Sequence, residues 1–267
     1  ARALIENGAD LEKQQNEGWT ALMYSAQNGH EQCARALIEN GADLEKQQNQ
    51  GFTALMLSAQ NGHDLCARAL LENGAAVNAT LPNGEGALNL ACQNGHVPCT
   101  EVLLKAGANV ELTDKTNGFT SLMKAAQNGH EQCARALLAN GAVVNARANN
   151  GFLSGHTALM LSAGNGHDLC ARALLENGAV VDVLNNTGWT ALMYSTDKGH
   201  EQCARALLEN GAAVDAVDNK GWTALMVACS SGHELCARAL LEKGAEVDKL
   251  DEEGYTALML SCQNGHE

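Results

Sequence analysis

Apolar residues along the chain follow a helical period that starts and stops every thirty-odd positions. In "TALMYSAQ", residues 20 to 27, Ala, Leu and Met follow a Thr able to accept from the first unpaired amides of a helix, and "NGH" then breaks the run. "EQCARALIEN" begins a second run, in which Cys33, Ala34, Ala36 and Leu37 fall at helical spacing and Asn40-Gly41 is a stop signal. The residues after it, such as "ADLEKQQNQG", are polar, carry one early apolar residue and end in turn-forming types. The pattern predicts helix, turn, helix, then a turn or short hairpin.

This unit recurs. The Gly of each Gly-His pair stands at 29, 62, 95, 129, 166, 199, 232 and 265, with spacings of 33, 33, 34, 37, 33, 33 and 33. Both irregular spacings arise in the connecting segment, which lengthens between Gly107 and Gly118 and between Gly141 and Gly155. Tolerance of insertion marks an exposed loop. The opening "ARALIENGAD" returns at residues 34 to 43 and the chain ends at "NGHE", in mid-unit. A fragment of a longer array is therefore expected, with room for targeting signals or further domains on either side.

The phrase T-A-L-M-x-[SA]-A-x-x-G-H, together with stretches such as "LLENGAAVN" and "LLENGAAVD", resembles the ankyrin repeat over the whole chain. The resemblance implies an all-α ankyrin-repeat solenoid of stacked helix-turn-helix units with short β-hairpin loops. The register gives a partial unit 1–13, complete units 14–46, 47–79, 80–113, 114–150, 151–183, 184–216 and 217–249, and a partial unit 250–267. Two departures stand out. Ala replaces the family's Pro at the start of the first helix, and Met replaces its His at 23, 56, 123, 160, 193, 226 and 259, with Asn89 as the exception. Thioethers fill gaps between stacked helices, so the Met ladder reads as core. Asn78 and Asn145 match the V-N-A position, which in some ankyrin proteins is hydroxylated.

A net charge of −14 opposes binding to nucleic-acid phosphates or an anionic membrane surface. No apolar run reaches the roughly eighteen residues of a membrane span, so no membrane insertion is expected. Seven of ten cysteines, Cys33, Cys66, Cys99, Cys133, Cys170, Cys203 and Cys236, share one position on the second helix. Helices about 8–10 Å apart keep such a ladder from bonding to itself, where a disulfide needs Cα atoms within about 7 Å. They read as small buried hydrophobes in a reducing, intracellular and cytoplasmic setting. Cys92 and Cys229 lie seven residues ahead of a ladder cysteine, which leaves an intra-unit bridge conceivable.

Eight of nine His residues belong to the Gly-His turn and are expected to bond nearby backbone. Arg2, Arg35, Arg68, Arg172, Arg205 and Arg238 each precede a Glu by four positions, which suggests same-face ion pairs on an outer surface. No triad, Walker loop, dinucleotide fingerprint or zinc cluster occurs. The expectation is a non-enzyme with no catalytic residue, cofactor, metal or small-molecule substrate.

One feature exceeds the needs of the fold. Trp19, Phe52, Phe119, Trp189, Trp222 and Tyr255, six of only nine aromatic residues, occupy the position between Gly and Thr, and Tyr24 and Tyr194 follow the Met. Glu85 and His156 interrupt the row; His156 lies in the insertion "GFLSGHT", where it takes the aromatic's place or extends a loop that displaces Phe152. In ankyrin-like proteins this position faces the concave side and commonly contacts partners. The rings also suit covering the neighbouring unit's Met and Leu. The expected partner-binding residues are Trp19, Tyr24, Phe52, Phe119, His156, Trp189, Tyr194, Trp222 and Tyr255, with Trp189, Trp222 and Tyr255 as the main stretch. They would take an extended or proline-rich segment of another protein, since three polyproline II residues at about 3.1 Å each span about one repeat. A scaffold or adaptor role follows; a regulatory arm of a larger enzyme or channel, or a structural linker in an assembly, are the competing readings.

Overall fold

The computed structural model describes residues 1–266. Its helices are α1 (Arg2–Glu6), α2 (Ala21–Gln27), α3 (Glu31–Glu39), α4 (Ala54–Gln60), α5 (Asp64–Glu72), α6 (Ala87–Gln93), α7 (Val97–Lys105), α8 (Ser121–Gln127), α9 (Glu131–Ala139), α10 (Ala158–Gly164), α11 (Asp168–Glu176), α12 (Ala191–Asp197), α13 (Glu201–Glu209), α14 (Ala224–Ser230), α15 (Glu234–Glu242) and α16 (Ala257–Gln263). After α1, seven-residue and nine-residue helices alternate, as the hydrophobic pattern predicts.

Each helix is short enough to need its caps. The Thr190 side chain accepts from Met193 N at the start of α12, and the same Thr-to-Met bond opens α2, α4, α8, α10, α14 and α16. At the far end of α13, Asn210 Nδ2 donates to Ala206 O at 2.8 Å. Gly211, at φ +84°, lets Ala212 N return to Leu207 O at 3.0 Å, the bond pattern that closes a helix through a left-handed residue. Helices of seven and nine residues are not stable alone in water, so their stability comes from stacking.

The chain forms two compact units, Ala1–Ala125 with Arg135–Ala142, and Ala126–Ala134 with Val143–Glu267. In the first, α2, α4 and α6 form one row and α3, α5 and α7 a second behind it. In the second, α10, α12, α14 and α16 form the front row and α11, α13 and α15 the back one. Between the rows lies the ladder core. Met56, Met160, Met193 and Met226 are at most 1% exposed, and Cys66, Cys170, Cys203 and Cys236 are equally enclosed. Met259 in α16 is the exposed end of its row.

Asn89, the exception to the Met ladder, is explained by a second exception beside it. Gly86 replaces the capping Thr of α6 and offers no side chain; Asn89 Oδ1 accepts from Gly86 N at 3.0 Å, and its Nδ2 donates to Leu112 O at 3.0 Å. The buried amide thereby steadies both the helix start and the next loop.

Three local expectations need correction. The Gly-His imidazoles reach back to the preceding repeat rather than to nearby backbone: Nε2 of His63, His96, His167 and His233 lies 2.9–3.1 Å from the carbonyl oxygens of Gln27, Gln60, Gln127 and Asp197. Arginine pairs with the Glu four positions before it, as Arg35 with Glu31 and Arg205 with Glu201, both at 2.7 Å. It also reaches across repeats, Arg35 to Glu72 and Arg205 to Glu242. Finally, none of the ten cysteines is in a disulfide, and Cys92 Sγ lies 3.6 Å from Thr100 Oγ1. Burial pushes the Cys66 and Cys236 thiols up to about 11 and that of Cys203 to about 12, which leaves them protonated and inert at neutral pH.

The predicted hairpins shrink to single rungs. One bond closes each loop onto the residue before the capping position: Gln15 N to Trp19 O, Asn185 N to Trp189 O, Asp218 N to Trp222 O and Asp251 N to Tyr255 O. Isolated antiparallel bridges occur at Thr80 with Gly86 and Val217 with Thr223. That closing bond fixes where every ladder residue leaves the backbone.

Candidate functional site

In the second unit one loop amide and two loop acids build the site. Asn185, Asp218 and Asp251 each stand four residues before a ladder aromatic, and Oδ1 of each accepts the backbone N–H of Trp189, Trp222 or Tyr255 at 2.8–2.9 Å. Asp218 also uses its other oxygen, accepting from Trp189 Nε1 at 3.0 Å. Asn185 Nδ2 donates to Tyr194 Oη at 2.8 Å, and the Trp189 and Tyr194 rings meet with centroids 5.0 Å apart, tilted by 57°. Aromatic pairs at this separation and tilt are mutually attractive. Burial pushes the Tyr194 phenol up, and the nearby Asp197 charge adds to it, against the opposing bond from Asn185.

Trp189, Tyr194, Asp218, Trp222, Asp251 and Tyr255 line one open groove of about 1200 Å³ along the loops and front helices of the second unit. Trp189 and Trp222 are half-buried, and Tyr255 is 36% exposed. The backbone of each is thus held while its ring is partly presented to solvent, and the Trp189 ring is also held by Asp218 and Tyr194.

The first unit carries a lesser version. Trp19 stacks on Tyr24 at 5.1 Å and 30°, and the Tyr24 hydroxyl accepts from Gln15 Nε2 at 3.2 Å. Phe52 lines a separate hollow of about 380 Å³ with Gln50, Pro82, Glu85 and Leu90.

Two predicted contact residues are inside the protein. Phe119 is 1% exposed. The extra residue of its loop closes the turn from Gly118 N to Asp114 O, one residue wider than Gly188 N to Asn185 O, and the ring ends up enclosed. His156 is 3% exposed. It does take the aromatic's register, through Ala148 N to His156 O at 2.8 Å, but its ring lies under Tyr194, 5.0 Å away, and the insertion carries Phe152 out to full exposure instead. Desolvation pushes the His156 imidazole below its ordinary value, and neither ring nitrogen has a hydrogen-bond partner among the described residues.

The other interruption is filled by charge. Lys124, which follows the ladder Met of α8, reaches Glu85 Oε1 and lies 3.1 Å from Asp114 Oδ2; the three side chains are 12%, 13% and 2% exposed. Burial would push the Asp114 carboxyl up, but the Asn117 and Thr116 amides and the Lys124 ammonium outweigh it and hold it below its usual value.

Sequence reasoning passed over Asp218 and Asp251. Their signal was present, an acid or amide four residues before each of Trp189, Trp222 and Tyr255, but it lay inside what reads as a generic polar turn. Asn78 and Asn145, matched to the family's V-N-A position, accept the backbone N–H of Asn109 and Val180 in the next repeat at 2.8 and 2.9 Å. Among the described residues no group of three His, Cys, Asp or Glu side chains is placed to hold a metal, and no helix is long and apolar enough to cross a membrane.

Paired antiparallel helices stacked in two rows, with a loop-and-helix groove along one edge, define a helical repeat protein. A model of "Ankyrin repeats (3 copies)" matches residues 1–81, 73–148, 144–218 and 210–267, and the chain belongs to the ankyrin-repeat family. It is similar to the human ASB11 ankyrin repeat domain, known from a crystal structure, at 28% identity and a TM-score of 0.75, over 85% of this chain and 99% of that one. No curated protein matches the sequence. Ankyrin repeats are generally protein-protein interaction modules.

Proposed function

We propose that this chain is a non-catalytic scaffold or adaptor that holds an extended segment of a partner protein in the groove of the second unit. The observation that carries this reading is the row of Trp189, Trp222 and Tyr255 along one groove, each backbone-anchored by the Asn or Asp four residues earlier. Half-exposed Trp and Tyr at fixed spacing supply large contact area on rings that lose little freedom on binding, the property of anchor residues. Trp19 with Tyr24, and Phe52, offer secondary contacts in the first unit. A library of twelve-residue peptides displayed on phage and selected on the full chain supplies the probe. The tightest peptide, measured by calorimetry, is expected to lose about 30-fold in affinity for Trp222→Ala, the worth of a single anchor of about 2 kcal/mol. Undiminished affinity for folded Trp189→Ala and Trp222→Ala variants would remove the groove from the account.

A further inference from the structure

We infer that the groove of the second unit selects a basic segment, with arginine side chains at every third residue seated on Trp189, Trp222 and Tyr255. This rests on the reading that the groove holds a partner segment, and adds its chemistry. Five carboxylates line the groove, those of Asp197, Asp218, Asp251, Glu252 and Glu253, against two ammonium groups, Lys198 and Lys220. Their use within the protein is unequal. Asp197 Oδ2 is paired with Lys198 Nζ at 2.9 Å, and Asp218 holds the Trp189 indole. Glu252 and Glu253 are exposed beside Tyr255, and their carboxylates have no partner among the described residues. They line the groove as charges that no contact within the described residues neutralises.

The first unit offers an internal contrast. The hollow around Phe52 is lined mainly by amides and apolar side chains, and its single carboxylate, Glu85, is tied to Lys124. An aromatic contact is common to both hollows, but among the described residues that line them, carboxylates without a partner occur only in that of the second unit. Charge complementarity therefore distinguishes the two. A cation over an indole face is attracted within about 6 Å, and a guanidinium can stack on the ring while presenting its fork of N–H donors to a carboxylate, which an ammonium cannot do. Successive rings are one repeat apart, about 8–10 Å for packed helices, and an extended chain advances about 3.3 Å per residue. Three residues of partner per ring follow.

The test uses three nine-residue peptides, Arg-Pro-Pro, Gln-Pro-Pro and Glu-Pro-Pro each repeated three times, titrated by fluorescence anisotropy into the full chain near physiological salt. The Arg peptide is expected to bind at least ten-fold tighter than the Gln peptide, and the Glu peptide weakest. Glu252→Gln combined with Glu253→Gln should abolish the Arg preference. The pair Glu6→Gln with Glu39→Gln, exposed in the first unit and away from its aromatic residues, changes net charge equally and should leave it intact. Equal binding of Arg and Gln peptides, or equal loss in both double variants, overturns the charge selection while the groove stands, provided Trp222→Ala weakens both peptides. If neither peptide binds, or Trp222→Ala binds both as wild type does, the groove reading falls as well.

Discussion

The indole N–H of Trp189 donates to Oδ2 of Asp218, in the following repeat, at 3.0 Å, while Oδ1 of the same carboxylate accepts from the N–H groups of Lys220 and Trp222. One side chain thus orients two rungs of the aromatic row. Asp218→Asn keeps an oxygen for the backbone donors but turns an N–H toward the indole N–H. A loss of about 1–2 kcal/mol in urea unfolding is expected, with the Trp189 indole resonance shifted in proton–nitrogen spectra. An unchanged indole resonance would show that Asp218 does not hold the ring.

Lys124 replaces ring contact with charge. The residue after the ladder Met meets the ladder residue of the preceding repeat: Tyr194 meets His156, and Lys124 meets Glu85. Lys124→Met leaves the carboxylates of Glu85 and Asp114 enclosed without their cation, a change that typically costs about 3–5 kcal/mol. Adding Glu85→Tyr to Lys124→Met restores an apolar contact and should recover a good part of that loss in chemical denaturation. Full stability of Lys124→Met alone would contradict a structural role for the cluster.

Two glycines share a left-handed backbone but not their surroundings. Gly199, at φ +72°, faces the next repeat's His233 ring, whose Nδ1 would lie 2.6 Å from an added Cβ, whereas Gly211, at φ +84°, opens on empty space. Gly211→Ala should cost only backbone strain, about 1–2 kcal/mol. Gly199→Ala must also displace His233 from Asp197 O and should be the more damaging by calorimetric melting. Equal melting temperatures for the two variants would mean that the imidazole ladder adds nothing to stacking.

His156 should make stability pH-dependent. Desolvation lowers its folded-state pKa below the ordinary value, so the unfolded chain takes up the proton first as pH falls. Its contribution is complete above about pH 6.5, the ordinary histidine value, and is lost as the pH falls below that point toward the lower folded-state value. Because Tyr194 covers the ring, His156→Phe should fit the same place, and the variant should lose less stability than wild type between pH 7.5 and 5.5 in urea titrations. Parallel losses in the two proteins would assign the acid sensitivity to other groups.

The fold was legible because it is written eight times: Thr, Asn-Gly and the Gly-His pair are local signals whose meaning does not depend on distant residues. The site was legible only in part. The spacing of Trp189, Trp222 and Tyr255 marks one face, and the structure gathers them in one groove. Phe119 and His156 end loops one and four residues longer than the rest, and both rings are enclosed by packing that the local spacing does not reveal. Glu85 and Lys124 lie 39 positions apart, so their partnership emerges only when the repeats stack.

The most direct test of the central claim is the affinity of the phage-selected peptide for the Trp189→Ala, Trp222→Ala double variant, read by calorimetry beside a circular-dichroism check that the helices persist. A loss of at least 100-fold, with the Phe52→Ala variant within about three-fold of wild type, is the predicted result. Wild-type affinity in the folded double variant would contradict the claim that this groove is where the protein meets its partner.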